Sequence, residues 1–190
     1  YQMLGGRSRD KIRIYNTCAG YQYIRDTRAQ KYANYGLGKE PGGPYEDLEG
    51  FLHHADDLAI SLMEEGITGM KIWPFDEYAE KWEGMYIAPQ ELDDALLPFR
   101  KIRDAVGEGM DIMVEFHSMW NLPMAQKIAR ALEEFNTFWH EDPIRMDSLA
   151  DLKAYATASK APITASETLS SKWAFRDLLD TGVCGFVMLD

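Results

Sequence analysis

Acidic residues close four short apolar runs in the second half of the chain: Glu115 in MVEFH, Glu141 in WHEDP, Glu167 in TASET and Asp190 at MLD, at intervals of 26, 26 and 23 residues. A dozen or more residues with helical patterning follow each of the first three, so the repeating unit is a strand and a helix. Strands joined in this way run parallel, because a chain that returns to the same direction needs a long crossover. In a parallel βα barrel the loops that leave the strands gather at one face, and acids ending consecutive strands converge there. Adjacent carboxylates repel one another unless a cation sits among them. The pattern therefore points to a hard-metal site, for Mg²⁺, built from Glu115, Glu141 and Glu167. The competing reading, acids that follow strands on a solvated surface, requires the same coincidence three times.

Composition narrows the partners. A formal net charge of −11 over 190 residues argues against nucleic acid and anionic membranes. It leaves a small anion open, since a cation and a few inward bases hold one inside an acidic protein. Cys18 and Cys184, the two cysteines, are far apart and form no metal-type pair, which suits a reducing cytoplasm. No run approaches the eighteen apolar residues of a membrane span, and Tyr1–Asp10 lacks the layout of a signal peptide. The chain is thus expected to be soluble and cytoplasmic.

Taken in order, residues 1–11 read as a connection into a first strand, Ile12–Thr17. Cys18–Pro44 is long and rich in Tyr and Gly, which suggests a lid or substrate-facing flap in which Arg25 and Arg28 are placed to grip a carboxylate. Tyr45–Glu65 has one helical period and Gly66 at its stop; the adjacent His53 and His54 within it point too far apart to chelate. Gly69–Pro74 is the second expected strand, with Lys71 and Trp73 on one face and Met70 and Ile72 on the other. If the apolar pair packs against helices, Lys71 points inward, where a lone ammonium needs an anion. A polar loop containing Trp82 and Tyr86 precedes a helix opened by Pro89 and running to Val106. On Asp111–His117 the two-residue period puts Met113, Glu115 and His117 on one face, a carboxylate beside an imidazole. Helices over Asn121–Phe135, Ser148–Lys160 and Ser171–Thr181 then alternate with strands over Thr137–Asp142, Ile163–Glu167 and Gly185–Asp190. Asp142 faces away from Glu141 and reads as an acid that fixes its loop. Six strands and five helices fall short of a closed eight-stranded barrel, so residues 12–190 are expected to be part of a barrel in a longer chain.

In combination, MKIW, VEFHSMWNLPMA, WHEDPI, ITASETL and the final Asp resemble the enolase superfamily, its mandelate racemase and muconate lactonizing-like branch, and above all the galactonate dehydratase-type acid-sugar dehydratases. The resemblance spans nearly the whole chain. It implies an α/β fold, a TIM-like barrel of modified (β/α)7β type, of which about six strands are present, with an amino-terminal α+β capping domain and the last strands outside this sequence. It implies one Mg²⁺ per active site on Glu115, Glu141 and Glu167; relatives usually carry Asp where Glu115 stands. Asp190 would orient a catalytic histidine from the following strand, a residue this sequence does not include. Lys71 matches the first lysine of the relatives' Lys-x-Lys pair, near the substrate carboxylate, while Trp73 stands where the second would act as a base. Trp73 and Arg25 are then substrate-facing. The Glu-Phe-His step is similar to the Asp-Phe-His of the dehydratases and makes His117 the acid that helps a hydroxyl leave.

The implied activity is Mg²⁺-dependent dehydration of an acid sugar, by loss of the proton α to the carboxylate through a metal-stabilised enolate and departure of the β-hydroxyl. The superfamily's use of a Lys or His base with Mg²⁺ is known chemistry. A racemase or epimerase on the same scaffold is the alternative enzyme; a non-catalytic metal- or ligand-binding relative, or an inactive fragment, is the alternative outside enzymes. The implied partners are a small-molecule sugar acid and further copies of the chain, from a dimer to an octamer.

Overall fold

The computed structural model describes residues 3, 5–19 and 46–189. The expectations for Arg25, Arg28, most of the Tyr- and Gly-rich flap and Asp190 lie outside the described residues.

Five strands, β1 (Gly69–Ile72), β2 (Asp111–Glu115), β3 (Trp139–Glu141), β4 (Ile163–Ala165) and β5 (Cys184–Val187), form one sheet in chain order with every neighbouring pair parallel. The protein is therefore α/β, as the strand-helix beat requires. Seven helices accompany the strands among the described residues: α1 (Asp47–His53), α2 (Ala55–Glu64), α3 (Asp76–Lys81), α4 (Pro89–Val106), α5 (Leu122–Leu132), α6 (Leu149–Ala156) and α7 (Lys172–Asp180). Their starts are local chemistry. Pro89 opens α4, where the Glu91 side chain accepts the Ala88 amide at 2.8 Å. Asn121, Ser148 and Ser171 accept amides of α5, α6 and α7 at 3.0, 3.2 and 3.4 Å.

Alternation along β1 and β2 sends Met70, Ile72, Ile112 and Val114 into the hydrophobic core, together with Phe99 and Ile102 of α4, Ile128 of α5 and Leu152 and Tyr155 of α6. Phe116 stacks on Phe75 and meets Tyr155 edge-on, so aromatic rings floor the region just below the strand ends.

Four expectations change. Ile12–Thr17 is not a ladder strand: Asn16 alone bridges Met70, and Ile12 and Ile14 are 72 % and 62 % exposed. Arg13, between them, ties the segment down through Asp111 and Thr68 instead. The long helix over residues 45–65 is two, because His54 leaves helical geometry between α1 and α2. The polar loop after β1 contains α3, whose first turn carries Asp76 and Glu77, favourable at a helix start. Finally, β2 stops at Glu115, and His117 and Ser118 take left-handed φ angles of 49° and 56°. The two-residue period thus does not carry through to His117.

Candidate active site

Strand register places the first two acids. Glu115 pairs with Glu141 across β2 and β3, so both carboxylates leave the sheet at one level and on one face. Both are 1 % exposed. Lys71 pairs with Met113, two residues short of that level but of the same parity, and its long side chain covers the difference. Its ammonium donates to Glu115 Oε2 at 2.9 Å and to Glu141 Oε1. Glu115 Oε1 accepts the amides of Phe116 and His117 at 3.1 and 2.9 Å, while Glu141 Oε2 accepts from the Trp139 indole at 3.1 Å. The backbone at His117 is thus pinned by the side chain of the acid two residues before it.

Two buried carboxylates this close cannot both ionise cheaply. Burial and the neighbouring Glu115 push Glu141 up. Burial works against an ionised Glu115 as well, but the charges of His117 and Lys71 outweigh it and hold the group low.

His117 sits 8 % exposed beside this cluster, with Nδ1 2.7 Å from Asp76 Oδ2. Burial alone would push its imidazole down; Asp76 and Glu115 overcome that and raise it to about 9. Burial also raises Asp76, with His117 working against the rise. Trp73 is buried at 2 % exposure, and its ring meets His117 edge-on at 5.7 Å and Phe51 at 5.2 Å. Trp73, expected on one face with Lys71, packs edge-on against the imidazole.

Glu141 pairs with Thr164, so Glu167 stands three residues farther along, in the loop after β4, where its amide donates to Asp142 Oδ2 at 3.1 Å. Asp142 is fully buried and in left-handed geometry, with φ 39°; it fixes the loop that carries Glu167. Among the described residues no three His, Cys, Asp or Glu side chains stand close enough together to hold a metal ion.

The donor set nevertheless fits a hard dication. It consists of carboxylates, and its two buried members, Glu115 and Glu141, already close on a cation, the Lys71 ammonium, which stands in for one. Asp76 is the site residue that sequence patterning missed. Its only local signal was an Asp-Glu pair after WPF, which marks a helix start but says nothing of a histidine 41 residues on. Among the described residues no helix is long and apolar enough to cross a membrane.

Residues 54–190 match the enolase C-terminal domain-like family. The whole chain superposes on 42 % of an enolase of the mandelate racemase subgroup from Agrobacterium tumefaciens, with a TM-score of 0.79 and 53 % sequence identity. A D-galactonate dehydratase of Variovorax paradoxus is 24 % identical over 182 residues, which is 96 % of this chain and 39 % of that protein. A D-gluconate dehydratase of Thermoproteus tenax is 25 % identical over 181 residues, 95 % of this chain and 30 % of that protein. The chain spans less than half the length of each of these proteins.

Proposed function

The chain belongs to the enolase C-terminal domain-like family, in the mandelate racemase and muconate lactonizing-like part of the enolase superfamily, and from that premise we propose that it supplies most of the active site of an acid-sugar dehydratase. The observation that carries this reading is a pair of register-matched, buried glutamates closed on a cation with an imidazole directly beside them. Dehydratases acting on galactonate and gluconate among its relatives support the substrate class.

In the proposed reaction a base removes the proton α to the substrate carboxylate. The carbon–oxygen bond at the β carbon breaks as His117 protonates the hydroxyl, which departs as water, and the resulting enol tautomerises to a 2-keto-3-deoxy acid. Glu115, Glu141 and Glu167 would hold a Mg²⁺, which when bound supplies positive charge to the substrate carboxylate as the α-proton leaves. Lys71 acts as a point charge for that carboxylate, so it must release the glutamates to which it now donates. The buried setting of His117 keeps water from the proton it delivers. We assign the orienting role for a following-strand histidine to Asp190 and a further carboxylate contact to Arg25. The described strands would form part of a (β/α)7β barrel beneath a capping domain.

The test is His117→Asn in the full-length protein, assayed for the 2-keto-3-deoxy acid from a panel of sugar acids in D₂O. A positioned acid is worth roughly 10² to 10⁴-fold, so turnover should fall by that much while Mg²⁺ binding persists. Unchanged dehydration removes His117 from the mechanism. Deuterium exchange at the α carbon without loss of water would instead make the protein a racemase or epimerase.

A further inference from the structure

We infer that Asp76 is a positioning residue for His117: its carboxylate holds Nδ1 and so commits Nε2 to proton transfer. The inference rests on the dehydratase reading for the reaction itself, but its structural content stands on the geometry of the turn that follows β1.

The WPFD turn brings two side chains onto one imidazole from different directions. Asp76 Oδ2 lies 2.7 Å from Nδ1, at hydrogen-bond distance, and the Trp73 ring abuts the imidazole edge-on at an interplanar angle of 77°. A hydrogen bond fixes which nitrogen carries hydrogen, and an aromatic wall fixes the ring's tilt. Together they leave the imidazole one orientation. The backbone at His117, left-handed and beyond the end of β2, is held by Glu115 Oε1 on its own amide and by the Glu141 and Asp142 carbonyls on the amides of Phe116 and Ser118, but these bonds leave the ring free to turn about its side-chain bonds, and Asp76 and Trp73 supply that restraint.

The setting of Asp76 argues against a merely local role. It is 0 % exposed, and a carboxylate is costly to bury unless a partner compensates. Its other oxygen, Oδ1, is buried with no hydrogen-bond partner among the described residues. An acid needed only to start α3 would sit as well at the surface, like Glu77 beside it, which is exposed. What burial of Asp76 secures is the contact with His117.

With Nδ1 occupied, the proton donated to the leaving hydroxyl comes from Nε2. It is replaced from solvent after product leaves, and Asp76 remains a carboxylate throughout. Asp76→Asn keeps the shape of the side chain and an oxygen able to accept, but removes its charge and allows the amide to present a donor to Nδ1.

The experiment uses the full-length enzyme with ¹⁵N-labelled histidine. In the parent protein, ring-nitrogen spectra should show a strongly hydrogen-bonded Nδ1 proton that His117→Asn abolishes while any other such signals stay. Its absence from the parent overturns the assignment even if no Asp76 variant folds. In Asp76→Asn the signal should shift or vanish, kcat should fall at least about 10²-fold and KM should change little, since the substrate's binding groups are untouched. In the His117→Asn background, adding Asp76→Asn should cost nothing further, because a residue acting through another has nothing left to act on. An additional loss in the double variant, or an equal rise in KM with kcat preserved, refutes the positioning role. If His117→Asn proves fully active, the dehydratase reading falls while the spectra still decide whether Asp76 holds the ring.

Discussion

Removing the Lys71 ammonium by Lys71→Met tests the logic of the acid cluster directly. Methionine keeps the unbranched stem and most of the volume, so little cavity forms and the main change is electrostatic. The lysine side chain is 12 % exposed, and its partners Glu115 and Glu141 are 2 % and 1 % exposed, so water replaces little of what is lost. Taking one partner from a buried ion pair costs about 3–5 kcal/mol. At roughly 2–4 °C per kcal/mol for a domain of this size, the metal-free melting temperature should drop by about 6–20 °C. The loss should be smallest in acid: without the ammonium Glu141 is raised further and Glu115 loses part of what holds it low, so stability declines as pH climbs above the ordinary carboxylate range. Excess Mg²⁺ should restore part of it, about 2.7 kcal/mol at a hundredfold excess over Kd, and should stabilise the variant more than the parent, where the dication must displace Lys71. Thermal melts of full-length parent and variant, in EDTA and in Mg²⁺ at pH 5 and pH 8, measure each quantity. A variant that melts with the parent at pH 8 in EDTA would show that the two glutamates need no cation between them.

Two other predictions concern the scaffold. His140 is buried on the opposite side of β3, held by Thr137, Tyr155 and Ser159, and burial pushes it down to about 3. Between the ordinary histidine value of about 6.5 and that lowered value, the unfolded chain binds a proton that the folded one refuses, so stability is lost as pH falls through this window, by up to a few kcal/mol at 1.36 kcal/mol per unit. His140→Gln, unable to titrate, should flatten that stretch of the acid-unfolding curve; an unchanged slope assigns it to other groups. At Gly84, with φ +70°, an added Cβ would lie 1.9 Å from the Met119 carbonyl oxygen, in the loop leading to α5. Gly84→Ala should therefore cost at least about 2 kcal/mol in denaturant unfolding, since left-handed strain alone is about 1–2 kcal/mol and the backbone must also move; a near-neutral result would mean the two loops are not in contact.

The order of strands and helices was legible in the chain because it rests on local signals. Alternation marks strands, the 3.6-residue period marks helices, and Pro89, Asn121, Ser148 and Ser171 mark where helices begin. The same alternation gave the shared face of Lys71, Glu115 and Glu141. It failed where a local rule met a backbone that stops obeying it: His117 lies past the end of β2, and Ile12 and Ile14 alternate beside a single bridge.

What only the tertiary structure decided is which distant groups meet. The interval of 26 residues is the same from Glu115 to Glu141 as from Glu141 to Glu167, yet register sets the first pair level and puts the third acid three residues beyond. Nothing in the spacing distinguishes the two cases, because register is settled by hydrogen bonds between strands and by how each connecting helix packs. Asp76 shows the same division. Its residue type and place at a helix start are local facts, but its meeting with His117 required α3, β2 and the turn between Trp73 and Asp76 to be folded against one core.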